Sequence, residues 1–252
     1  MPDTHSSAAT YLPRTFAALF AAAVTLIASS PPADSQPPPV DVIAPGYPVS
    51  SLDPSGNAIS SCTAGFTVHD SAGTPLMLTA GHCDSGGMLG VYFRGTGDLE
   101  MLGSFTRNAY AESPPGEPFN ATLPDIGLVG LSATAVPVAI ALLNRMPITA
   151  VERPRVGERL CKIGSYTGIS CGTVTKVTSS KVHFGAFNRH GDSGGPVYRD
   201  NGDGTVTAIA VNSATPDDQA DCQVDHTGAQ DCGGTTIAEL IQPWMTRWGL
   251  TI

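Results

Sequence analysis

From residue 65 to residue 211 the chain is written in short apolar stretches, each broken by Gly, Pro, Asn or Asp. Gly65 to His69, Leu76 to Ala80, Met88 to Phe93, Met101 to Thr106 and Ile126 to Leu131 form one series. Arg159 to Ile163, Gly172 to Val177, Lys181 to Phe184, Gly195 to Tyr198 and Val206 to Val211 form another. Runs of this length, rich in β-branched residues and bounded by turn formers, read as strands. Two such series predict an all-β chain of two antiparallel barrels or sandwiches, joined somewhere within 132–155. Composition points the same way, since 28 Gly and 21 Pro against 14% charged residues leave little material for charged helix surface. The end of the chain departs from this pattern. Ile237, Leu240, Ile241, Trp244, Met245 and Trp248 recur at three- and four-residue steps, which predicts one amphipathic helix over 236–248.

Two segments precede the strands. Arg14, the apolar run Phe16 to Ala28 and the small residues Ser29 and Ser30 follow the order of a secretory signal peptide over 1–30. The run falls short of the roughly 20 apolar residues that cross a bilayer. Pro31, Pro32, Pro37, Pro38 and Pro39 make 31–42 an extended linker. The first barrel is then expected over 43–133 and the second, with its helix, over 134–252.

Export to an oxidising compartment makes the six cysteines candidates for disulfides. Spacing pairs Cys161 with Cys171 and Cys222 with Cys232, leaving Cys62 for Cys83. Zinc would call for a Cys-x-x-Cys or Cys/His knuckle, which the sequence lacks. Asp200-Asn201-Gly202-Asp203-Gly204 reads as a hairpin turn, because no distant Glu completes a calcium ligand set. Neither metal nor cofactor is expected. A formal charge of -9 argues against nucleic acid.

The strongest chemical signal is Gly191-Asp192-Ser193-Gly194-Gly195-Pro196-Val197. A serine hydroxyl attacks a carbonyl only when a base takes its proton and donors receive the oxyanion. Glycines beside Ser193 allow a tight turn with inward amides, and Gly191 and Ser193 are the candidate donors. Of the six histidines, His82 stands out: it ends the apolar stretch Leu78-Thr79-Ala80-Gly81 and is followed by Cys83. His5 falls in the signal segment, His69 follows a strand, and His226 lies in an acidic loop. His190 is too close to Ser193 to share the turn and reads as a rim residue. Asp125 heads the apolar Ile126-Gly127-Leu128-Val129, where a carboxylate could fix the tautomer of an imidazole.

On these motifs, with Cys62-Thr63-Ala64-Gly65-Phe66 and Cys161 through Gly172, the chain resembles the chymotrypsin-like serine peptidases, most of all their secreted bacterial branch. The resemblance implies two antiparallel six-stranded β-barrels with a C-terminal α-helix. His82 and Asp125 would come from the first barrel and Ser193 from the second. It implies a secreted, monomeric endopeptidase acting on peptide or protein substrates through an acyl-enzyme. Ser193 would be the nucleophile, His82 the base and Asp125 its orienting carboxylate, with no membrane attachment after signal cleavage. It also implies disulfides Cys62 to Cys83 and Cys161 to Cys171, a structural pair of Lys162 with Asp192, and substrate contacts from Phe187, Ser213 and Thr215. A β-branched Thr215 and a Phe187 floor imply small or medium apolar side chains before the scissile bond.

Three departures stand against it. Gly185 to His190 contains no pocket cysteine, no Ile-Val-Gly-Gly start appears, and the segment before the fold is too short for a folding pro-region. The alternative reading is a catalytically silent module that holds peptide or envelope ligands on the same fold.

Overall fold

The computed structural model describes residues 41–92, 99–115, 120–132, 135–137, 146–215, 223–224, 230–231 and 234–252. All lie in one compact unit, Pro39–Ile252. The signal-peptide expectation over 1–30 and the Cys222–Cys232 pair lie outside the described residues.

The strands run in order β1 (Asp41–Ile43), β2 (Pro48–Leu52), β3 (Ala58–Thr63), β4 (Thr67–His69), β5 (Pro75–Thr79), β6 (Met88–Tyr92), β7 (Leu99–Tyr110), β8 (Asp125–Leu131) and β9 (Ala135–Pro137). They continue as β10 (Ile148–Val151), β11 (Arg159–Gly164), β12 (Gly168–Val177), β13 (Lys181–Phe184), β14 (Pro196–Asp200), β15 (Val206–Ala214), β16 (Gln223–Val224), β17 (Gln230–Asp231) and β18 (Thr236–Leu240). A single α-helix among the described residues, α1 (Gln242–Trp248), follows.

The first sheet is seven-stranded, in the order β3-β2-β6-β7-β8-β5-β4. Its two edge strands, β3 and β4, are consecutive in the chain and separated only by residues 64–66. Gly65 donates to the Leu78 carbonyl at 3.0 Å and Leu78 donates to that of Phe66 at 2.8 Å, so the pairing with β5 continues through the link. The two edges are thus one bent strand that carries the sheet round on itself. The second sheet runs β10-β15-β14-β11-β12-β13-β18 and closes through a further β15–β18 pairing. Closure leaves no exposed ladder around its six-stranded wall.

Burial explains why these strands read as apolar runs with little alternation. β5, β8 and β15 lie between two cores and are packed on both faces. Met77 and Val129 belong to the first barrel's interior, with Leu89 and Leu102. Ile209 and Ala210 belong to the second's, with Leu160 and Phe184. Their neighbours Leu78, Ile126, Leu128, Ala208 and Val211 join a third cluster between the barrels, closed by Phe66, Ile163, Ile241 and Met245. The chain end then returns to the first barrel, where His69 and Thr251 exchange backbone hydrogen bonds of 2.8 and 2.9 Å.

Two expectations require correction. Helix over 236–248 is found only as α1, whereas Thr236–Leu240 is strand β18. The spacing of Ile237, Leu240 and Ile241 comes from a strand buried on both sides, which needs no periodicity, followed by a helix that Pro243 opens. Strand β1 also starts at Asp41, inside the 31–42 stretch read as linker. Asp41 and Val42 already pair in parallel with Ala135 and Val136 of β9. The Ser-rich β2 and β3 were not legible as strands, because Ser50, Ser51, Ser60 and Ser61 carry no apolar signal.

Phe66 is 1% exposed at the junction of the barrels. Phe66→Ala is expected to lower unfolding free energy by about 3–5 kcal/mol in chemical denaturation, the range for emptying an aromatic site in a packed core.

Candidate active site

His82 is carried by a single 3-10 turn, Gly81–Cys83, that follows the inner strand β5. A side chain at Gly81 would fall 2.7 Å from Asn108 Oδ1 and 2.9 Å from the Ile126 nitrogen, so only glycine lets the turn lie against β7 and β8. Cys83 is bonded to Cys62 of β3, which fixes the far end of the turn. Asp125 opens β8 and pairs with Tyr110 at the end of β7.

The side chains of His82 and Asp125 meet directly. His82 Nδ1 lies 2.9 Å from Asp125 Oδ2, and the His82 backbone N–H donates to Oδ1, also at 2.9 Å. Ser213 Oγ of the second barrel donates to Oδ2 at 2.5 Å. Burial opposes ionisation of Asp125, yet its hydrogen bonds and the charge of His82 outweigh burial and hold the carboxyl below its ordinary range. Burial likewise pushes the imidazole down, while the hydrogen bond and charge of Asp125 more than offset it, leaving His82 above its usual value. Nδ1 therefore carries the proton facing Asp125, which leaves Nε2 as the acceptor in the neutral ring.

Ser193 sits on a turn anchored on the opposite barrel and pinned to the first. Thr63 donates its backbone N–H to the Ser193 carbonyl at 2.7 Å, and Cys83 Sγ lies 3.9 Å from the same oxygen. Thr63 Oγ1 and Ser165 Oγ donate to the Gly191 carbonyl at 2.7 and 2.9 Å. Gly194 has φ of 85°, and a Cβ there would lie 2.1 Å from Thr79 Oγ1 and 2.6 Å from the Thr63 carbonyl. Glycine is required at that point both by conformation and by the approach of the first barrel. Among the described residues, the N–H groups of Gly191 and Ser193 donate to no protein acceptor, and Gly191 is buried. A buried amide without an acceptor is uncommon, and that of Gly191 lies two residues from the equally unpaired amide of half-buried Ser193.

Asp192 holds this turn from beneath. Its side chain is fully buried with that of Lys162, and the two meet at 2.7 Å. The carboxylate also accepts from Thr167 Oγ1 at 2.7 Å and from the backbone N–H groups of Tyr166, Thr167 and Arg189 at 3.0, 3.1 and 3.1 Å. Burial pushes the Lys162 ammonium below its usual range against the opposing pull of Asp192.

Of the expected substrate-contact residues, Ser213 supports Asp125 directly. Phe187 is 40% exposed, and its N–H donates to Ser170 Oγ at 2.7 Å. Thr215 is half-buried just beyond β15. Besides Ser213, the side chains buried in 187–191 and 212–215 are two carboxamides. Asn212 Nδ2 donates to Asn188 Oδ1 at 2.7 Å, and Asn188 Nδ2 donates to the Ala214 carbonyl at 3.2 Å. His190 is exposed, in keeping with a rim position. The sulfurs of Cys62 and Cys83, close to His82, are spent in their disulfide and offer no thiolate to a metal. Cys161 and Cys171 are also joined, directly opposite one another in the β11–β12 register.

Sequence reasoning missed a charged pair behind Asp125. Glu239 of β18 is bonded to Lys181 of β13 at 2.5 Å, with both side chains buried. Glu239 Oε2 also accepts the backbone N–H of Asp125 at 3.3 Å, and Oε1 accepts the Trp244 indole N–H at 2.7 Å. The available signal was an acid, Glu239, set among Ile237, Ala238, Leu240 and Ile241, and a base, Lys181, at the head of a short strand.

No protein-family model matches the chain. Two Mycobacterium tuberculosis proteins, uncharacterized protein MT1863 of strain CDC 1551 / Oshkosh and uncharacterized protein Rv1815 of strain ATCC 25618 / H37Rv, are each 30% identical to it over 190 residues. Each match covers 71% of this chain and 76% of the relative. Among solved structures, Nocardiopsis protease (NAPase) superposes with a TM-score of 0.59 at 20% identity, and Thermobifida fusca protease A with 0.57 at 21%. Cellulomonas bogoriensis chymotrypsin gives 0.56 at 22%. Each covers 84% of this chain and 98% of the other, and they establish the chymotrypsin-like fold.

Lys162→Met would leave the Asp192 charge buried without its counterion. The expected cost is about 3–5 kcal/mol of stability in denaturant titration, far more than loss of an exposed pair would give.

Proposed function

The chain belongs to the family of those two mycobacterial proteins and has the chymotrypsin-like fold, and from that premise we propose that it is a serine endopeptidase. The observation that carries this reading is the imidazole–carboxylate pair of His82 and Asp125, together with a Ser193 turn whose Gly191 and Ser193 amides have no protein acceptor among the described residues.

In the proposed reaction His82 Nε2 takes the Ser193 hydroxyl proton as Oγ attacks the scissile carbonyl carbon. The carbonyl π electrons move to oxygen, and the Gly191 and Ser193 amides receive that oxyanion. The tetrahedral intermediate collapses, the C–N bond breaks, and the imidazolium gives its proton to the leaving amine. Water then repeats the sequence on the acyl-enzyme and releases the acid. Asp125 holds the ring in the tautomer that presents Nε2 and stabilises the imidazolium. Among the described residues no hydrogen bond links Ser193 Oγ to the ring, and in catalytic sites of this kind that bond commonly tightens when substrate binds. Lys162 serves by burying Asp192, which holds the amides of the turn in place.

Action outside the cytoplasm is part of the proposal. Two disulfides support it, together with the signal-like segment at the start of the sequence. Among the described residues no helix is long and apolar enough to cross a membrane. The proposed partners are peptide or protein substrates bound by a monomer.

A fluorophosphonate probe tests the enzyme against the silent binding module. Stoichiometric labelling that disappears in Ser193→Ala is expected, and a folded wild-type protein that takes no label would overturn the proposal.

The pH dependence has a definite sign. The raised His82 keeps its proton to higher pH, and only the neutral ring accepts one. The rate kcat/KM should therefore fall as pH drops, with a midpoint above the ordinary imidazole value of 6.5. Asp125→Asn is expected to lower kcat by about 10⁴-fold in peptide hydrolysis, because the ring loses the acceptor that sets its tautomer.

A further inference from the structure

Asp125 belongs to the first barrel, but much of what grips it belongs to the second. Ser213 of β15 holds its carboxylate, and Glu239 of β18 accepts its backbone N–H. That N–H lies where β8 begins, beyond which the regular β7–β8 pairing ends at Tyr110 and Asp125. A donor so placed and buried requires an acceptor from elsewhere. Glu239 supplies it from inside the wall of the second barrel, where its own exposure is 0%.

A carboxylate at that depth is costly to ionise, and burial holds Glu239 above its ordinary range against the opposing effects of Lys181, Trp244 and the Asp125 amide. Apolar residues of similar volume would stabilise a barrel wall about as well as this ion pair does. What they could not do is accept the Asp125 N–H or balance charge behind the imidazole.

We propose that Glu239, with its charge balanced by Lys181, is a positioning residue for the base, tying the strand that carries Asp125 to the second barrel and setting the field at His82. This rests on the reading of His82 as general base. The groups around that base and its carboxylate come from several elements: Asp125 of β8, Tyr110 of β7, Glu112 beyond it and Lys181 of β13 act on His82, while Ser213 of β15 and Glu239 of β18 hold Asp125. Trp244 of α1 adds an indole N–H on the remaining Glu239 oxygen. The Lys181 charge opposes protonation of His82, and Glu239 is the buried counter-charge in direct contact with it.

Charge removal on each side must then act with opposite sign. The His82 ring titration is followed by nitrogen-15 NMR in wild type, Glu239→Gln and Lys181→Met, with circular dichroism to confirm folding. Glu239→Gln leaves the ammonium uncompensated and is expected to shift the titration to lower pH. Lys181→Met leaves the carboxylate uncompensated and is expected to shift it to higher pH. Two folded variants that shift in the same direction, or not at all, overturn the proposal, since a merely structural pair has no reason to act with opposite signs.

Should either single variant fail to fold, the apolar double variant Lys181→Met/Glu239→Leu decides. It removes the acceptor for the Asp125 amide and is expected to lower kcat roughly tenfold with KM unchanged, as a small misplacement of the base does. An undiminished kcat in this variant overturns the proposal. The ring titration needs no peptidase activity, so a wild-type protein that resists the fluorophosphonate would sink the enzyme reading and leave this test standing.

Discussion

The hydrogen bond from Ser213 to the Asp125 carboxylate, 2.5 Å long and shielded from water, is the contact on which the arrangement turns. It joins strands of different barrels, and it ends on the group that orients His82. If the barrels separated, the carboxylate would lose this donor together with the Glu239 acceptor on its backbone. His82 and Asp125 meet within the first barrel, but the support of the carboxylate is complete only when the two halves dock. Docking in turn depends on the apolar cluster of Phe66, Leu78, Ile126, Ile163, Val211 and Met245 between them. The returning chain end, paired to His69 through Thr251, adds a further tie.

Around this junction the molecule places charges where water cannot reach them, and each is matched. Asp192 is satisfied by Lys162, Thr167 and backbone amides, and this fixes a turn in which the Gly191 and Ser193 amides have no acceptor among the described residues. Glu239 is matched by Lys181 and the Trp244 indole. Such pairs add little net stability, because desolvation cancels most of the attraction. Their value is geometric: a buried charge tolerates few positions for its partners, and those partners here include the backbone beside Ser193 and beside Asp125.

Much of this was legible beforehand, and the reasons are specific. Strands buried on both faces, such as β5, β8 and β15, announce themselves as apolar runs between turn formers. Gly191 to Gly195 was legible because close approach excludes side chains: a Cβ at Gly194 would strike Thr79 and Thr63. The Lys162–Asp192 contact was anticipated from resemblance, and the structure brings those side chains together. The serine-rich β2 and β3 were not legible, because Ser50, Ser51, Ser60 and Ser61 break up the apolar signal although β2 itself is buried. β18 was misread as helix, since a strand packed on both sides has no period of its own. With that error Glu239 lost its place in the barrel and its link to Asp125.

The sequence by itself determined the residue types, their order along the chain and the local turns, because these follow from side-chain chemistry and from where only glycine or proline fits. It therefore named His82, Asp125 and Ser193 as candidates and most of the strands around them. Only the tertiary structure decided which groups hold those residues. Ser213, Glu239, Thr63 and Ser165 reach their partners across 88, 114, 128 and 26 positions of the chain, respectively. Hydrogen bonds over such separations are set by how two closed sheets meet, and no local pattern in the sequence records that.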